Sequence, residues 1–245
     1  MTEKKADRAI KAPPIDPPAT PDKRGVTELA VGFVMALVAT LAFGVLANGV
    51  YLQEKFALDV YANPFLHAIS SPALDLVMNG ITTLGSVPFV AVVFVVVTVF
   101  LLYRRYRAEA LFLAAAILGS VALNSVLKLF IQRPRPQLPW AQVPLDYSFP
   151  SGHSMDSLVF YLAIALIIWA RVKAPAGSIA VIVALVIAIS VGFSRIYLGY
   201  HYFSDVVGGY AAGLAWLLVV ALVFETIPRA WVRRPWARRP TRRSA

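Results

Sequence analysis

Cysteine is absent from this chain of 245 residues, and charged side chains make up only 15% of it. Without cysteine the chain has no disulfide, no thiolate metal site and no cysteine nucleophile. The scarcity of charge excludes an ordinary soluble domain, because 59% of the residues are hydrophobic and few remain to cover a water-exposed surface. The composition therefore places the chain among membrane proteins.

In place of charged residues, the sequence contains long apolar runs. Six of them approach or exceed the ~20 residues that cross a bilayer core. They cover residues 29–52, 81–103, 108–131, 155–170, 177–193 and 206–227. The fourth run is long enough only if its helix begins near Ser151. The pattern predicts an all-α, six-helix membrane domain over residues 29–227, between a Pro-rich disordered tail (residues 1–28) and a basic tail (residues 228–245).

A net charge of +10 would suggest nucleic-acid binding in a soluble protein, but its distribution indicates otherwise. Eighteen of the 23 Lys and Arg residues lie in the two tails and in the loops after the second and fourth spans. The positive-inside rule then predicts cytoplasmic termini, an inner-membrane location, and membrane lipids rather than nucleic acid as partners. The other five basic residues face outward: Lys55, Lys128, Arg133, Arg135 and Arg195.

The first outward loop, residues 53–80, is broken by Asn63-Pro64 and by Ser71-Pro72. The apolar stretches between these breaks predict short helices in the plane of the interface. They form either a lid over a lateral substrate entrance or a packed connector, and the sequence favours neither alternative.

Three short patterns fall at the outward ends of spans three to six. Lys128 and Arg135 form Lys-x6-Arg-Pro, and Pro-Ser-Gly-His ends at His153. The third pattern is Ser-Arg-x5-His-x3-Asp, which ends with His201 and Asp205. Ionisable groups at membrane depth are costly, which makes these residues candidates for a functional site.

The residue types in these patterns suit phosphate chemistry. Arg binds phosphate through paired hydrogen bonds and Lys binds it as a point charge, so Lys128, Arg135 and Arg195 are candidate phosphate ligands. Ser151 and Gly152 precede a helix, and the free N–H groups at a helix start form an anion site.

The histidines supply the reactive groups. His201 and Asp205 are four residues apart and share one face of a helix. A carboxylate on one imidazole nitrogen sets the tautomer and leaves the other nitrogen free to attack phosphorus. His153 is then available as the acid that protonates the leaving oxygen and as the base that activates water. Because the outward acidic residues show no tight cluster, we expect no metal or other cofactor.

The three motifs resemble those of the type 2 phosphatidic acid phosphatase superfamily, which also includes the glucose-6-phosphatases and the vanadium-dependent haloperoxidases. All three occur in order, over residues 128–205, and the resemblance extends over about residues 29–227. It implies that His201 is the nucleophile, Asp205 its orienting carboxylate and His153 the acid and base. It also implies five phosphate-binding residues: Lys128, Arg135, Ser151, Gly152 and Arg195. The members most similar in layout are bacterial six-span lipid phosphatases that need no metal.

Several residues near the motifs have simpler interpretations. Arg133 is expected to be a solvated or headgroup-facing charge, and His67 a structural histidine at the interface. Trp140 and Tyr147 suit interface anchors, and the Gly208-Gly209 pair suits close helix packing. Asp156 either stabilises the start of its helix or faces His153 or the headgroup, where it would raise the pKa of the histidine.

The sequence therefore predicts a lipid phosphatase that acts on a phosphomonoester or pyrophosphate headgroup outside the cytoplasm. Phosphatidic acid, phosphatidylglycerol phosphate, lysophosphatidate and undecaprenyl pyrophosphate all stay open as substrates. A phosphatase of a soluble phosphate ester is an alternative. A phosphate-lipid transporter or a non-catalytic lipid-binding protein is an alternative from another functional class. Haloperoxidase chemistry is disfavoured, because those members of the superfamily are soluble.

Overall fold

The computed structural model describes residues 23–141 and 143–226 of the chain. The predicted basic tail at residues 228–245 and most of the predicted disordered tail lie outside the described residues. Residues 23–28 of that first tail are helical. The described part is all-helical, as predicted, and consists of α1 (Lys23–Tyr51), α2 (Ala57–Ala68), α3 (Pro72–Thr83), α4 (Val87–Tyr103), α5 (Arg107–Ile131), α6 (Gly152–Trp169), α7 (Ala174–Tyr197) and α8 (Phe203–Thr226).

Five of these helices, α1, α5, α6, α7 and α8, are long and apolar enough to cross a membrane. The predicted second span, residues 81–103, is wrong at its start, because the helix breaks after α3 and continues as α4 with a bend of 44°. Leu84, Gly85 and Ser86 form this break, and α4 begins at Val87 with Pro88 as its second residue. With α3 and α4 counted as one bent span, the described chain has six.

The centre of the molecule is the bundle of α5, α6, α7 and α8, with α6 packed against the other three and α1 against α8. The side chains at its core are almost all small or branched and have no exposed surface; they include Leu113, Ala116, Val159, Phe160, Ala163 and Ala188. Gly119 provides space for the Trp216 ring, because an added Cβ would lie 2.0 Å from that ring. The indole Nε1 of Trp216 donates to the carbonyl of Ala116 at 2.9 Å. Such close packing explains why the bundle ends hold fixed positions.

The helices α2 and α3 form the connector that the sequence predicts to face outward. The predicted break at Asn63-Pro64 is wrong, because α2 continues through Pro64 to Ala68. The predicted break at Ser71-Pro72 is confirmed, since Ser71 caps α3 and Pro72 occupies its first position. Both helices pack against α7, and α2 also contacts α8. These contacts favour the packed connector over a free lid.

The opposite end of the bundle is closed by an ion pair. Arg171, after α6, donates to Glu109 of α5 at 2.6 Å. Its guanidinium also lies over the ring of Tyr106 at 3.5 Å. The loops after α4 and α6 therefore meet at one end of the bundle. The ends of α5 and α7 and the starts of α6 and α8 meet at the other end, where the three motifs lie.

Candidate active site

The nucleophile candidate lies in the short turn between α7 and α8. His201 is 1% exposed, and its Nδ1 is 3.3 Å from Oδ2 of Asp205. Asp205 is in the first turn of α8 and fully buried. The other ring nitrogen, Nε2, is 3.1 Å from Nη1 of Arg135. With the Nδ1 proton directed at the carboxylate, the lone pair of Nε2 faces the cationic side of the site.

Burial keeps the His201 ring neutral. It lowers the pKa of His201 from 6.5 to about 4, and the nearby Arg135 and Arg195 act in the same direction. The hydrogen bond and charge of Asp205 oppose this change but do not cancel it. A neutral imidazole at physiological pH is the form that can attack phosphorus.

Asp205 accepts several hydrogen bonds that the motifs do not include. The hydroxyl of Ser148 and the backbone N–H of Tyr202 both donate to its Oδ2, the latter at 2.9 Å. Arg133 donates through Nη1 to its Oδ1 at 2.5 Å. Because both oxygens are held by these donors, the carboxylate has a defined orientation toward His201.

The prediction that Arg133 is a solvated charge is wrong. Its side chain is only 14% exposed, and it joins Asp205 to Asp59 of α2, with the second contact at 2.7 Å. The guanidinium also lies 4.1 Å from the centre of the Tyr202 ring. Two buried carboxylates and an aromatic face compensate the cation here, which a sequence reading of charge alone does not reveal.

The connector helix α2 directly contacts the turn that carries His201. Asn63 donates through Nδ2 to the carbonyls of Ile196 at 2.8 Å and His201 at 3.3 Å. Asp59 accepts from the backbone N–H of Ser204 at 2.7 Å, at the start of α8. Both side chains are buried. They therefore hold the turn that carries His201 against α2, from Ile196 to Ser204.

Two of the predicted phosphate ligands, Lys128 and Arg135, converge on one carboxylate of the chain itself. Lys128 Nζ is 2.5 Å from Oδ2 of Asp146, and Arg135 Nη2 is 2.6 Å from its Oδ1. Arg135 Nε also donates to that Oδ1 at 3.0 Å. The carboxylate is bound as a fork between a guanidinium and an ammonium, which is a geometry that also suits a phosphate.

The remaining phosphate candidates surround the same space. Arg195 is 6% exposed, donates to Thr82 Oγ1 at 2.9 Å and lies over the ring of Tyr200. Its buried Nε has no partner within the described residues. Ser151 is buried and immediately precedes α6, and Gly152 is the first residue of that helix. A Cβ at Gly152 would lie 3.1 Å from Oδ1 of Asn124, so close packing of α5 and α6 accounts for this glycine.

His153 is the second residue of α6, at the same end of the bundle. The ionisable groups that act most strongly on its imidazole are Arg195, His201, Arg135 and Lys128. The fold thus brings residues from all three motifs, separated by up to 77 positions in the chain, to one place.

The sequence profile described as PAP2 superfamily matches residues 109–229. Phosphatidylglycerophosphatase B of Bacillus subtilis is 32% identical over 191 residues, which cover 77% of this chain and 94% of that protein. The chain belongs to the PAP2 superfamily. A lipid A 4'-phosphatase of Porphyromonas gingivalis is 31% identical over 65% of this chain and 71% of its own length.

Solved structures agree with this assignment. The crystal structure of a transmembrane PAP2 type phosphatidylglycerolphosphate phosphatase from Bacillus subtilis superposes with a TM-score of 0.73 at 32% identity. The match covers 79% of this chain and 98% of that structure. These similarities confirm the predicted all-helical fold, the multi-pass membrane protein and the phosphoric ester hydrolase class.

Other predictions about this PAP2 protein have separate outcomes. Asp156 does not lie in the first turn of α6; its carboxylate accepts from Ser120 of α5 at 2.6 Å, so it joins two helices. His67 stacks on Trp140 at 3.9 Å, in agreement with a structural role. Close packing at the glycine pair of α8 is confirmed, since an added Cβ would lie 2.6 Å from the Phe149 ring at Gly208.

Sequence reasoning missed five residues that contact the motif residues: Asp59, Asn63, Arg133, Asp146 and Ser148. Arg133 carried a signal, because it was one of only five basic residues on the outward side. Asp59 and Asp146 were outward acids without a sequence neighbour to identify their partners. Asp59 is linked through Arg133 to Asp205, which is 146 positions away in the chain. Asp146 pairs with Lys128, which is 18 positions away.

Proposed function

We propose that this protein is a metal-independent membrane lipid phosphatase that hydrolyses a phosphomonoester or pyrophosphate headgroup through a phosphohistidine on His201. The observation that carries the proposal is the orientation of the His201 ring. Its Nδ1 is directed at Asp205, and its Nε2 lies on the side of Arg135. A transporter or a lipid-binding protein would have no use for a neutral, carboxylate-oriented imidazole beside a phosphate site.

In the proposed first step, Nε2 of His201 attacks phosphorus and the bond to the leaving oxygen breaks. Lys128, Arg135 and Arg195 hold the phosphoryl oxygens and stabilise their charge in the transition state. His153 donates a proton to the leaving oxygen. In the second step His153 takes a proton from water, and the resulting hydroxide attacks the phosphohistidine. Inorganic phosphate leaves, and His201 returns to its neutral form.

A lipid is the proposed substrate because the site lies at the ends of membrane-spanning helices and the relatives are named for lipid phosphates. One relative is named a phosphatidylglycerophosphatase and another a lipid A phosphatase. The basic residues of the tails and of two loops support an inner-membrane location with the site on the extracytoplasmic face. A headgroup phosphate at that interface would reach the helix ends directly.

Phosphate release by the purified protein in detergent tests the proposal. The panel contains phosphatidic acid, phosphatidylglycerol phosphate, lysophosphatidate, undecaprenyl pyrophosphate and glucose 6-phosphate. We expect release from at least one lipid, inhibition by vanadate and full activity in EDTA. His201→Ala should lose activity, whereas His67→Ala, which removes the histidine outside the three motifs, should keep it.

The alternatives give different results in the same panel. Faster hydrolysis of glucose 6-phosphate than of every lipid would favour a phosphatase of soluble esters. No phosphate release from any compound by a folded protein would favour transport or binding. Full activity of His201→Ala, or a strict need for added magnesium, would contradict the proposed mechanism.

A further inference from the structure

Asp146 is an internal anion on the proposed phosphate ligands. Its carboxylate binds Lys128 and Arg135 at 2.5 and 2.6 Å. The two cations are largely buried, with side chains 15% and 5% exposed, whereas the side chain of Asp146 is 51% exposed. The carboxylate therefore approaches the cations from the open side of the site, which is the side from which a headgroup would arrive.

The hydrogen bonds of Arg135 leave little capacity for a substrate. A guanidinium has five N–H groups. In Arg135, Nε and Nη2 donate to Asp146, while Nη1 donates to the carbonyl of Tyr200 and lies 3.1 Å from Nε2 of His201. With these four contacts made, Arg135 has one N–H left. Bidentate binding of a phosphate by Arg135 therefore requires that Asp146 leave.

The charge of the incoming group decides this exchange. A phosphodiester, as in most bilayer lipids, carries one negative charge, the same as the carboxylate that it would displace. A phosphomonoester can carry two, and a pyrophosphate carries at least two. The extra charge interacts with Lys128, Arg135 and Arg195 together, in a site with little water, where Coulomb energies are larger than in bulk solvent.

We propose that Asp146 is a specificity-determining residue, which competes with headgroup phosphates for Lys128 and Arg135. It sets an affinity threshold that doubly charged phosphates exceed and singly charged phosphodiesters do not. This inference rests on the proposed lipid phosphatase function. It assigns to Asp146 the exclusion of bulk phosphodiester lipids, which outnumber any substrate in the membrane and would otherwise occupy a tricationic site.

Two properties of Asp146 suit it to this role. Burial would raise the pKa of its carboxyl, but the hydrogen bonds and charges of Lys128 and then Arg135 lower it below its ordinary value. Asp146 is therefore an anion at neutral pH. It also belongs to the non-helical segment between α5 and α6, so its exposed side chain can turn toward solvent without breaking a helix.

Competitive inhibition by two matched probes tests the inference. Dimethyl phosphate represents the singly charged diester, and methylphosphonate, at a pH where it is doubly charged, represents the dianion. Their inhibition constants are measured with the best substrate of the lipid panel for the unmodified protein, Asp146→Asn and Asp146→Ser. Asp75→Asn is the control, because it makes the same change in another outward carboxylate, on α3.

We expect Asp146→Asn and Asp146→Ser to bind dimethyl phosphate about fivefold more tightly than the unmodified protein, as for the loss of one partly exposed ion pair. Binding of methylphosphonate should improve by at least the same factor, because both probes displace the same carboxylate. Asp75→Asn should leave both inhibition constants unchanged.

The opposite result would overturn the inference. If both Asp146 variants bind both probes more weakly, Asp146 positions Arg135 rather than competing with the ligand. Unchanged inhibition constants would also overturn it. Failure of the proposed function is a separate result, because the unmodified protein would then release no phosphate from any lipid.

Discussion

At the scale of single residues, the reactivity of the site depends on how a buried imidazole is held. Ser148, Arg133 and the backbone of Tyr202 all donate to Asp205, which leaves the carboxylate one orientation toward His201. The motif spacing places His201 and Asp205 on one helical face, but the residues that orient the carboxylate come from elsewhere in the chain. The geometry of the proposed catalytic pair is therefore set by its surroundings as well as by its spacing.

The lowered pKa of His201 predicts a loss of stability in acid. The unfolded chain takes up a proton near pH 6.5, whereas the folded chain does so only near pH 4. The free energy of unfolding therefore has no acid penalty from His201 above pH 6.5. This penalty grows as the pH drops from 6.5 to 4, and it reaches about 3 kcal/mol.

Thermal unfolding of the unmodified protein and of His201→Asn in detergent, over that pH range, measures this contribution. The melting temperature of the unmodified protein should fall more steeply than that of the variant. Parallel curves would show that His201 is not held neutral by the fold.

At the scale of the elements, α2 is the helix whose role the sequence left open. Asp59 and Asn63 connect it to the nucleophile turn, and Arg133 connects Asp59 to Asp205. We predict that Arg133→Gln lowers kcat by about tenfold to a hundredfold with a smaller change in KM, because misplacement of a catalytic group by about 1 Å costs on that order. Arg133→Lys should restore part of kcat.

Arg171→Gln is the matched control for this prediction. Arg171 also pairs with a carboxylate and lies over a tyrosine ring, but at the other end of the bundle. Both glutamine variants should lose stability, and only Arg133→Gln should lose kcat. Adding Asp59→Asn to Arg133→Gln should recover part of the stability, since Asp59 no longer carries an unpaired buried charge whereas Asp205 still does, without recovering kcat. Equal loss of kcat in both glutamine variants would assign Arg133 a structural role alone.

The same elements show what sequence can predict in this fold. The apolar runs predicted the spans α1 and α5–α8, because a bilayer requires long helices whose backbone N–H and C=O groups are all hydrogen-bonded. They missed the break at Leu84–Ser86, because residues 81–103 are apolar on both sides of it. The motifs gave the candidate phosphate ligands and the candidate catalytic histidines. They did not give Asp59, Arg133 or Asp146, whose roles come from tertiary ion pairs.

At the scale of the whole molecule, the proposed orientation puts the site outside the cytoplasm and the loops after α4 and α6 inside it. The absence of cysteine makes this directly measurable. Single cysteines at two exposed positions, Ser70→Cys in the outward connector and Lys173→Cys before α7, can be labelled in intact cells with a membrane-impermeant maleimide. We expect labelling at residue 70 only, and labelling at residue 173 only would reverse the orientation.

The central claim is that His201 carries the phosphoryl group between the two steps. The most direct measurement is alkaline quenching of the purified protein during turnover of a lipid labelled in its terminal phosphate, followed by mapping of the modified peptide. The account predicts label that is stable in base, labile in acid and attached to His201. His153→Ala should retain more of this label per turnover, because hydrolysis of the intermediate loses its base. Label on another residue, or rapid turnover with no labelled protein in either form, would contradict it.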